Sequence, residues 1–298
     1  MNTAERGFLL LCGDLADGMT PLSLHQLHLL RQRLSGIEQE GDASTSLSVP
    51  FFQSLGYSEK YAARLAALYD RETVLQQYLE LGAQKGCFPL TCVSDGFPQE
   101  LRSRLGKRCP AVLFYRGDPT LLDGRKIAVV GSRKLKAYGS AFAARVGELA
   151  AREGLTLVSG NAHGADKTAQ EACLQNGGSV IAVVSEPLCE QLPASDRILY
   201  LAESGWHQEF SAERALGRNR LIHALGERSF VAQCAVGSGT WQGAADALKH
   251  AIAPVFVCND GSEGAKGLEN LGAAPVTPEK LNDLSALCPA QTSLFDRP

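Results

Sequence analysis

The chain has 298 residues, and its 29 basic and 32 acidic side chains give a formal net charge of −3. This balance excludes a strongly basic nucleic-acid binder, although a local basic face is compatible with it. Hydrophobic residues make up 45% of the chain and charged residues 20%, which is typical of a globular protein and excludes wholesale disorder. No apolar run is long enough to cross a membrane, so we expect no membrane partner.

Residues 1–82 have the pattern of a small helical domain. Over residues 21–34 the leucines recur close to the period of an α-helix. The polar stretch 39–46 is typical of a loop. Further helices are predicted over residues 51–55, 59–69 and 72–81.

From residue 86 onward, apolar strands alternate with helical patterns. The predicted strands span residues 126–130, 155–158, 180–184, 229–235 and 254–258, and the predicted helices span 137–153, 165–175, 218–225 and 240–250. Unbroken apolar strands that alternate with helices indicate a parallel sheet covered on both faces. We therefore predict an α/β fold: a doubly wound, mostly parallel, Rossmann-like sheet over residues 86–278, followed by a C-terminal tail over 279–298.

Nine cysteines are spread through the chain, and none forms a C-x-x-C pair. This spacing disfavours a metal site, and the odd number disfavours a complete set of disulfides. We expect reduced, mostly buried thiols, a cytoplasmic location, and neither a metal nor a cofactor.

Four loops with glycine, hydroxyl and arginine residues follow the predicted strands or precede a helix. In a doubly wound sheet these loops meet beyond the carboxyl ends of the strands, where ligands bind. Glycine lets a ligand approach the backbone, and arginine offers a forked donor to phosphate. The residues expected at this site are Gly131, Ser132, Arg133, Lys134, Ser159, Gly160, His163, Gly164, Arg218, Asn219, Arg220, Gly237, Ser238, Gly239 and Thr240. The expected ligand bears phosphate and is either a nucleotide or a nucleic-acid backbone.

Catalytic motifs are not evident in the sequence. There is no Walker A pattern and no G-x-S-x-G, and Gln242 stands where a G-x-G-x-x-G motif would have its last glycine. Asp166 and His163 share one loop and are either an acid–base pair or, as we prefer, a bracing carboxylate beside a packing or phosphate-contacting histidine. We assign no catalytic residue.

The segment 100–136 carries ten basic and three acidic residues, a local balance of +7 in a chain whose total is −3. It is either a solvated helix and loop face or the electrostatic footprint of a polyanion. The solvated face explains Arg102 to Arg108 well. It explains Arg133 to Lys136 less well, because these residues directly follow a sheet strand.

The loops, in this order, resemble the DNA-processing protein A (DprA/Smf) family. The resemblance covers about residues 86–258 and rests on the segments 127–133, 159–166, 218–222 and 237–240. It implies a homodimer that binds single-stranded DNA without cleaving it, protects incoming strands in natural transformation (competence), and helps to load the RecA recombinase. It also implies that residues 131–133, 159–160 and 218–220 form the strand-binding pocket, and that the N-terminus is a sterile-alpha-motif-like domain.

The chain departs from this family pattern at three positions. His163 stands where the family usually has arginine, and Gln233 where a glutamate is common. Ala215 stands where the family usually has an aromatic residue, three positions before Arg218. Stacking on an aromatic ring contributes about 1–3 kcal/mol per base, so this last change removes an expected platform.

The segment 291–295 resembles the short peptide by which bacterial DNA-processing proteins dock on the replicative sliding clamp. Leu294 and Phe295 would fill an apolar pocket, and Gln291 would form a hydrogen bond at its rim. The alternative is a chance match in a polar tail, because short motifs recur by accident.

Two other functions use the same phosphate loops. A nucleotide phosphoribohydrolase-like enzyme would need a glutamate where this chain has Gly243. A nucleotide-binding sensor would use a closed pocket, whereas long DNA needs a basic track that leads away from the pocket.

Overall fold

The computed structural model describes residues 1–35, 47–191, 195–203 and 205–287. Its strands are β1 (Phe88–Thr91), β2 (Val112–Gly117), β3 (Lys126–Val130), β4 (Thr156–Ser159), β5 (Val180–Val183), β6 (Ile198–Glu203), β7 (Ser229–Val231), β8 (Val255–Cys258) and β9 (Ala274–Val276). Its helices are α1 (Thr3–Cys12), α2 (Leu24–Leu34), α3 (Val49–Ser54), α4 (Glu59–Tyr69), α5 (Glu72–Gln84), α6 (Gln99–Leu105), α7 (Ala137–Arg152), α8 (Ala165–Gln175), α9 (Ala212–Gly217), α10 (Asn219–Leu225), α11 (Gly239–Lys249) and α12 (Glu263–Asn270).

The strands form one sheet in the order β1-β2-β6-β5-β4-β3-β7-β8-β9. All neighbours from β6 to β9 pair in parallel, whereas β1 and β2 pair antiparallel at one edge. The chain runs outward from β3 in one direction through β4 and β5, and then returns to the other side of β3 with β7 and β8. This reversal confirms the predicted doubly wound, mostly parallel fold and creates a switch point between β3 and β7.

Helices cover both faces of the sheet, which explains the unbroken apolar strands. All five residues of β3 are buried, and alternate residues contact opposite layers. Ile127 packs in the cluster that contains Phe142 of α7, whereas Ala128 packs in the cluster that contains Leu221 of α10. Helices α7 and α8 therefore lie on one face of β3, and α10 lies on the other.

The N-terminal helices share their core with one end of the sheet. Leu9 of α1 and Leu65 of α4 belong to the same apolar cluster as Phe114 of β2 and Tyr200 of β6. The predicted domain boundary between residues 82 and 86 stays a prediction.

Several element bounds differ from the prediction. The strand predicted over 229–235 ends at Val231, because the chain then follows the exit of β3, where the Ser132 amide donates to the Gln233 carbonyl at 2.8 Å. The four strands β1, β2, β6 and β9 were not predicted. The predicted loop at 39–46 lies outside the described residues. No described helix is both long and apolar enough to cross a membrane.

Candidate functional site

A cavity of about 650 Å³ lies at the switch point, beyond the carboxyl ends of β3 and β7. The loops after these strands and the segment that contains α9 and the start of α10 enclose it. Eight of the predicted site residues line it: Gly131, Ser132, Arg133, Arg218, Asn219, Ser238, Gly239 and Thr240. The topology therefore brings together three loops that are far apart in the sequence.

Arg218 is the buried cation of this cavity. Its side chain is 8% exposed, and its Nε and Nη1 atoms make no hydrogen bond to any described residue. The guanidinium packs on the backbone of Gly160, where an added Cβ would lie 1.5 Å from Nη1. Position 160 therefore requires glycine, because a side chain there would occupy the place of the guanidinium.

Asp166 braces the loop that follows β4. Its Oδ2 accepts hydrogen bonds from the amides of Gly160 at 3.1 Å and Ala162 at 3.2 Å. Burial raises the pKa of this carboxyl to about 6, although the attraction of Arg218 lowers it. Burial likewise lowers the pKa of Arg218, and Asp166 opposes that change. In both groups desolvation is the largest cause, so the two charges compensate each other only in part.

Contacts between the loops hold the cavity in one shape. The hydroxyl of Thr240 donates to the Gly131 carbonyl at 3.0 Å, and the side-chain amide of Asn219 donates to the Gly239 carbonyl at 3.2 Å. Gly164 has a φ of +81°, and an added Cβ there would lie 2.3 Å from the Ser132 carbonyl oxygen. The loops after β3, β4 and β7 are therefore packed backbone against backbone.

Other predicted residues lie beside the cavity or beneath it. Ser159 is fully buried and accepts a hydrogen bond from Gln170 at 2.6 Å. Three other predicted site residues near the rim are exposed and do not line the cavity: Lys134, His163 and Gly237.

Arg220 faces a different cavity, although it is only two residues from Arg218. Its Nη2 pairs with Glu203 at 2.5 Å, and its neighbours there include Lys107 and Arg108.

At least five of the ten basic residues of segment 100–136 form hydrogen bonds or ion pairs within the protein. Arg104 donates to two backbone carbonyls, and Arg116 donates to two others. Arg108, Arg125 and Lys126 form ion pairs with Asp246, Glu227 and Glu100, respectively. Beside the cavity, the exposed cations of this segment are Arg133, Lys134 and Lys136.

The apolar part of the cavity lining was not predicted from the sequence. Phe210 and Leu216 both line it, and they are 48% and 44% exposed. Neither belongs to a glycine-rich loop, so no motif pointed to them.

The family model for DNA recombination-mediator protein A matches residues 89–286, which include the whole sheet except the first residue of β1. The chain belongs to this family.

Individual relatives agree with this assignment. DNA processing protein DprA of Bacillus subtilis is 30% identical over 228 residues, which are 70% of this chain and 74% of that protein. DNA processing protein DprA of Streptococcus pneumoniae is 33% identical over 163 residues, 51% of this chain and 57% of that one. The chain thus spans little more than half the length of the latter relative.

Two solved structures are similar to a large part of this chain. The X-ray structure of the Streptococcus pneumoniae protein has a TM-score of 0.60 at 27% identity and covers 78% of this chain and 88% of that one. The structure of DNA processing protein A of Helicobacter pylori, described for its single-stranded DNA binding mode, has a TM-score of 0.54 at 26% identity. The match covers 63% of this chain and 90% of that one.

Stability should depend on pH through Asp166. The raised pKa means that the folded protein keeps a proton that the unfolded chain releases between about pH 4 and pH 6. The free energy of unfolding contributed by this group therefore falls as the pH rises through that window. The unfolding free energy of Asp166→Asn minus that of wild type should therefore rise by up to about 3 kcal/mol between pH 4 and pH 7. Urea unfolding at several pH values measures this difference. A difference in unfolding free energy that stays constant over this pH range would show that Asp166 does not have a raised pKa in the folded protein.

Proposed function

We propose that this chain is a non-enzymatic DNA-processing protein that binds single-stranded DNA in the cavity at the switch point. The observation that carries the proposal is the buried Arg218 guanidinium, whose Nε and Nη1 have no hydrogen-bond partner among the described residues. A buried cation needs an anion, and a forked guanidinium fits a phosphate. The single-stranded DNA binding described for the Helicobacter pylori relative supports the same ligand class.

The cavity suits a strand rather than a duplex. Arg218 would hold one phosphate, and the exposed Arg133 would add a second cation at the rim. The first amides of α11, at Gly239 and Thr240, add donors at a helix N-terminus. A single strand exposes bases as well as phosphates, so it can contact both the basic and the apolar parts of the lining. A duplex keeps its bases inside.

Wider roles follow from family membership and remain part of the proposal. They are action in DNA uptake and recombination, protection of single strands, assistance in loading RecA, assembly as a homodimer, and a cytoplasmic location. Docking on the sliding clamp through Gln291, Leu294 and Phe295 is a further expectation, and these residues lie outside the described part of the chain.

The enzyme alternative needs a carboxylate at position 243. This chain has glycine there, and an added Cβ would lie 3.0 Å from the Asn219 Cβ, so a side chain at position 243 would require Asn219 to shift slightly. The nucleotide-sensor alternative is separated from DNA binding by the competition experiment below.

Loss of the two cavity arginines should abolish most DNA binding. Arg218→Ala should weaken the affinity for an oligo-dT by roughly 10–100-fold, because it removes charge-assisted hydrogen bonds to phosphate. Arg133→Ala should cost less and reduce the salt dependence by about one phosphate contact. Fluorescence anisotropy at several salt concentrations measures both effects.

Arg125→Ala is the matched control, because Arg125 is an exposed arginine whose ion pair with Glu227 is remote from the cavity lining. It should bind like wild type. Duplex DNA and free dTMP serve as competitors. No binding of oligo-dT at low salt would overturn the proposal. If free dTMP displaced labelled oligo-dT at concentrations far below those needed with unlabelled oligo-dT, the nucleotide sensor would be favoured.

Gly160→Ala should imitate the loss of Arg218 without removing it. The added Cβ would occupy the place of the guanidinium, so Arg218 must move away from the cavity wall. We expect oligo-dT affinity to fall by roughly tenfold or more. Gly96→Ala is the control, since its Cβ would meet no atom within 4 Å. Equal affinity of both variants would show that the position of Arg218 does not matter for binding.

A further inference from the structure

An exposed aromatic ring lies on the same cavity as the buried arginine. Phe210 is 48% exposed and lines the cavity together with Arg218. Among the described residues of this lining, it is the one aromatic side chain. Its small or aliphatic neighbours in the lining are Ala212, Ala215 and Leu216.

The segment that carries Phe210 is fixed on both sides. Before it, His207 forms a hydrogen bond with the Tyr78 hydroxyl at 2.7 Å, and the side-chain amide of Gln208 donates to the Asp14 carboxylate at 2.7 Å. After it, the Ser211 hydroxyl caps α9 by accepting from the Arg214 amide at 3.0 Å. The exposed ring therefore stands on an ordered segment, and little conformational entropy would be lost when a ligand contacts it.

Arg214 ties the same segment to the sheet. Its Nη1 donates to the Glu209 carbonyl at 2.5 Å and to the Ser185 carbonyl, just beyond β5, at 3.0 Å. Phe210 thus follows a residue that is anchored at the carboxyl edge of the sheet, where the phosphate loops also lie. The alanine at 215 leaves this part of the cavity without a ring of its own.

We infer that Phe210 is the platform on which a nucleobase stacks while a phosphate of the same strand binds Arg218. The inference rests on the proposed function and adds to it the residue that contacts the bases. Stacking on phenylalanine does not distinguish strongly between bases, because each has an aromatic face, so the contact would favour single strands without selecting a sequence.

Binding to a normal and an abasic oligonucleotide separates stacking from phosphate contact. The full-length chain is titrated with oligo-dT and with an abasic oligonucleotide of the same length, which keeps the phosphates and lacks the bases. Phe210→Ala should weaken the affinity for oligo-dT by roughly fivefold to a hundredfold and leave that for the abasic strand unchanged. Phe210→Tyr, which keeps an aromatic ring, should bind oligo-dT with the affinity of wild type. Phe88→Ala, which removes another exposed ring (42%) on the edge strand β1, should bind both like wild type.

A second readout does not depend on the alanine variant. In Phe210→Trp, oligo-dT should quench the added indole fluorescence above the background of Trp206 and Trp241, and the abasic strand should not. Unchanged affinity of Phe210→Ala for oligo-dT, or equal losses for both strands, would overturn the inference. If wild type binds oligo-dT and Arg218→Ala does not, the proposed function stands even then. If wild type binds neither strand, the proposed function itself fails.

Discussion

The chemistry of this site depends on a buried guanidinium, that of Arg218, whose Nε and Nη1 make no hydrogen bond to any described residue. Placing a cation in the interior costs several kcal/mol unless a partner offsets the lost hydration. Asp166 offsets part of this cost through space, yet it directs one oxygen to the amides of Gly160 and Ala162. Gly160 leaves room for the guanidinium. Glu186 also opposes the effect of burial on Arg218. We propose that a bound anion offsets the rest of the cost.

The sheet topology explains why this arrangement lies where it does. Because the chain turns back at β3, the loops after β3 and β7 meet at the switch point, and the cavity lies between them and the segment before Arg218. Glycine lets the loops after β3 and β4 pack directly against each other, as at Gly164 beside Ser132. The resulting cavity has Arg133 from the loop after β3, Arg218 just before α10, and apolar residues from the segment before Arg218. This combination suits a ligand that has both phosphates and flat apolar groups.

The fold was largely predictable because its central strands are uniform. Strand β5, and β3 after its first residue Lys126, are buried on both faces and consist of unbroken apolar residues, which a sequence reveals directly. The short edge strand β1 contains Pro89, and β2 ends in the half-buried segment Tyr115-Arg116-Gly117, so neither carries such a pattern.

The candidate site was predictable in its loops but not in its electrostatics. Glycine spacing identified the backbone positions, whereas the partner of each arginine depends on residues far away in the sequence. Arg220 pairs with Glu203, and Arg125 pairs with Glu227, so neither is available as its position in the sequence suggests. Phe210 was missed for a related reason: the exposure of a single ring on a loop leaves no periodic pattern.

The most direct test observes the Arg218 side chain itself. In protein labelled with ¹⁵N-arginine, the Nε–H resonance of Arg218, assigned by its disappearance in Arg218→Lys, is followed during titration with oligo-dT. We expect this resonance to shift on binding and its exchange with solvent to slow, while the Arg125 resonance does not move. Binding that shifts only exposed arginines and leaves the Arg218 resonance unchanged would show that Arg218 does not contact the DNA.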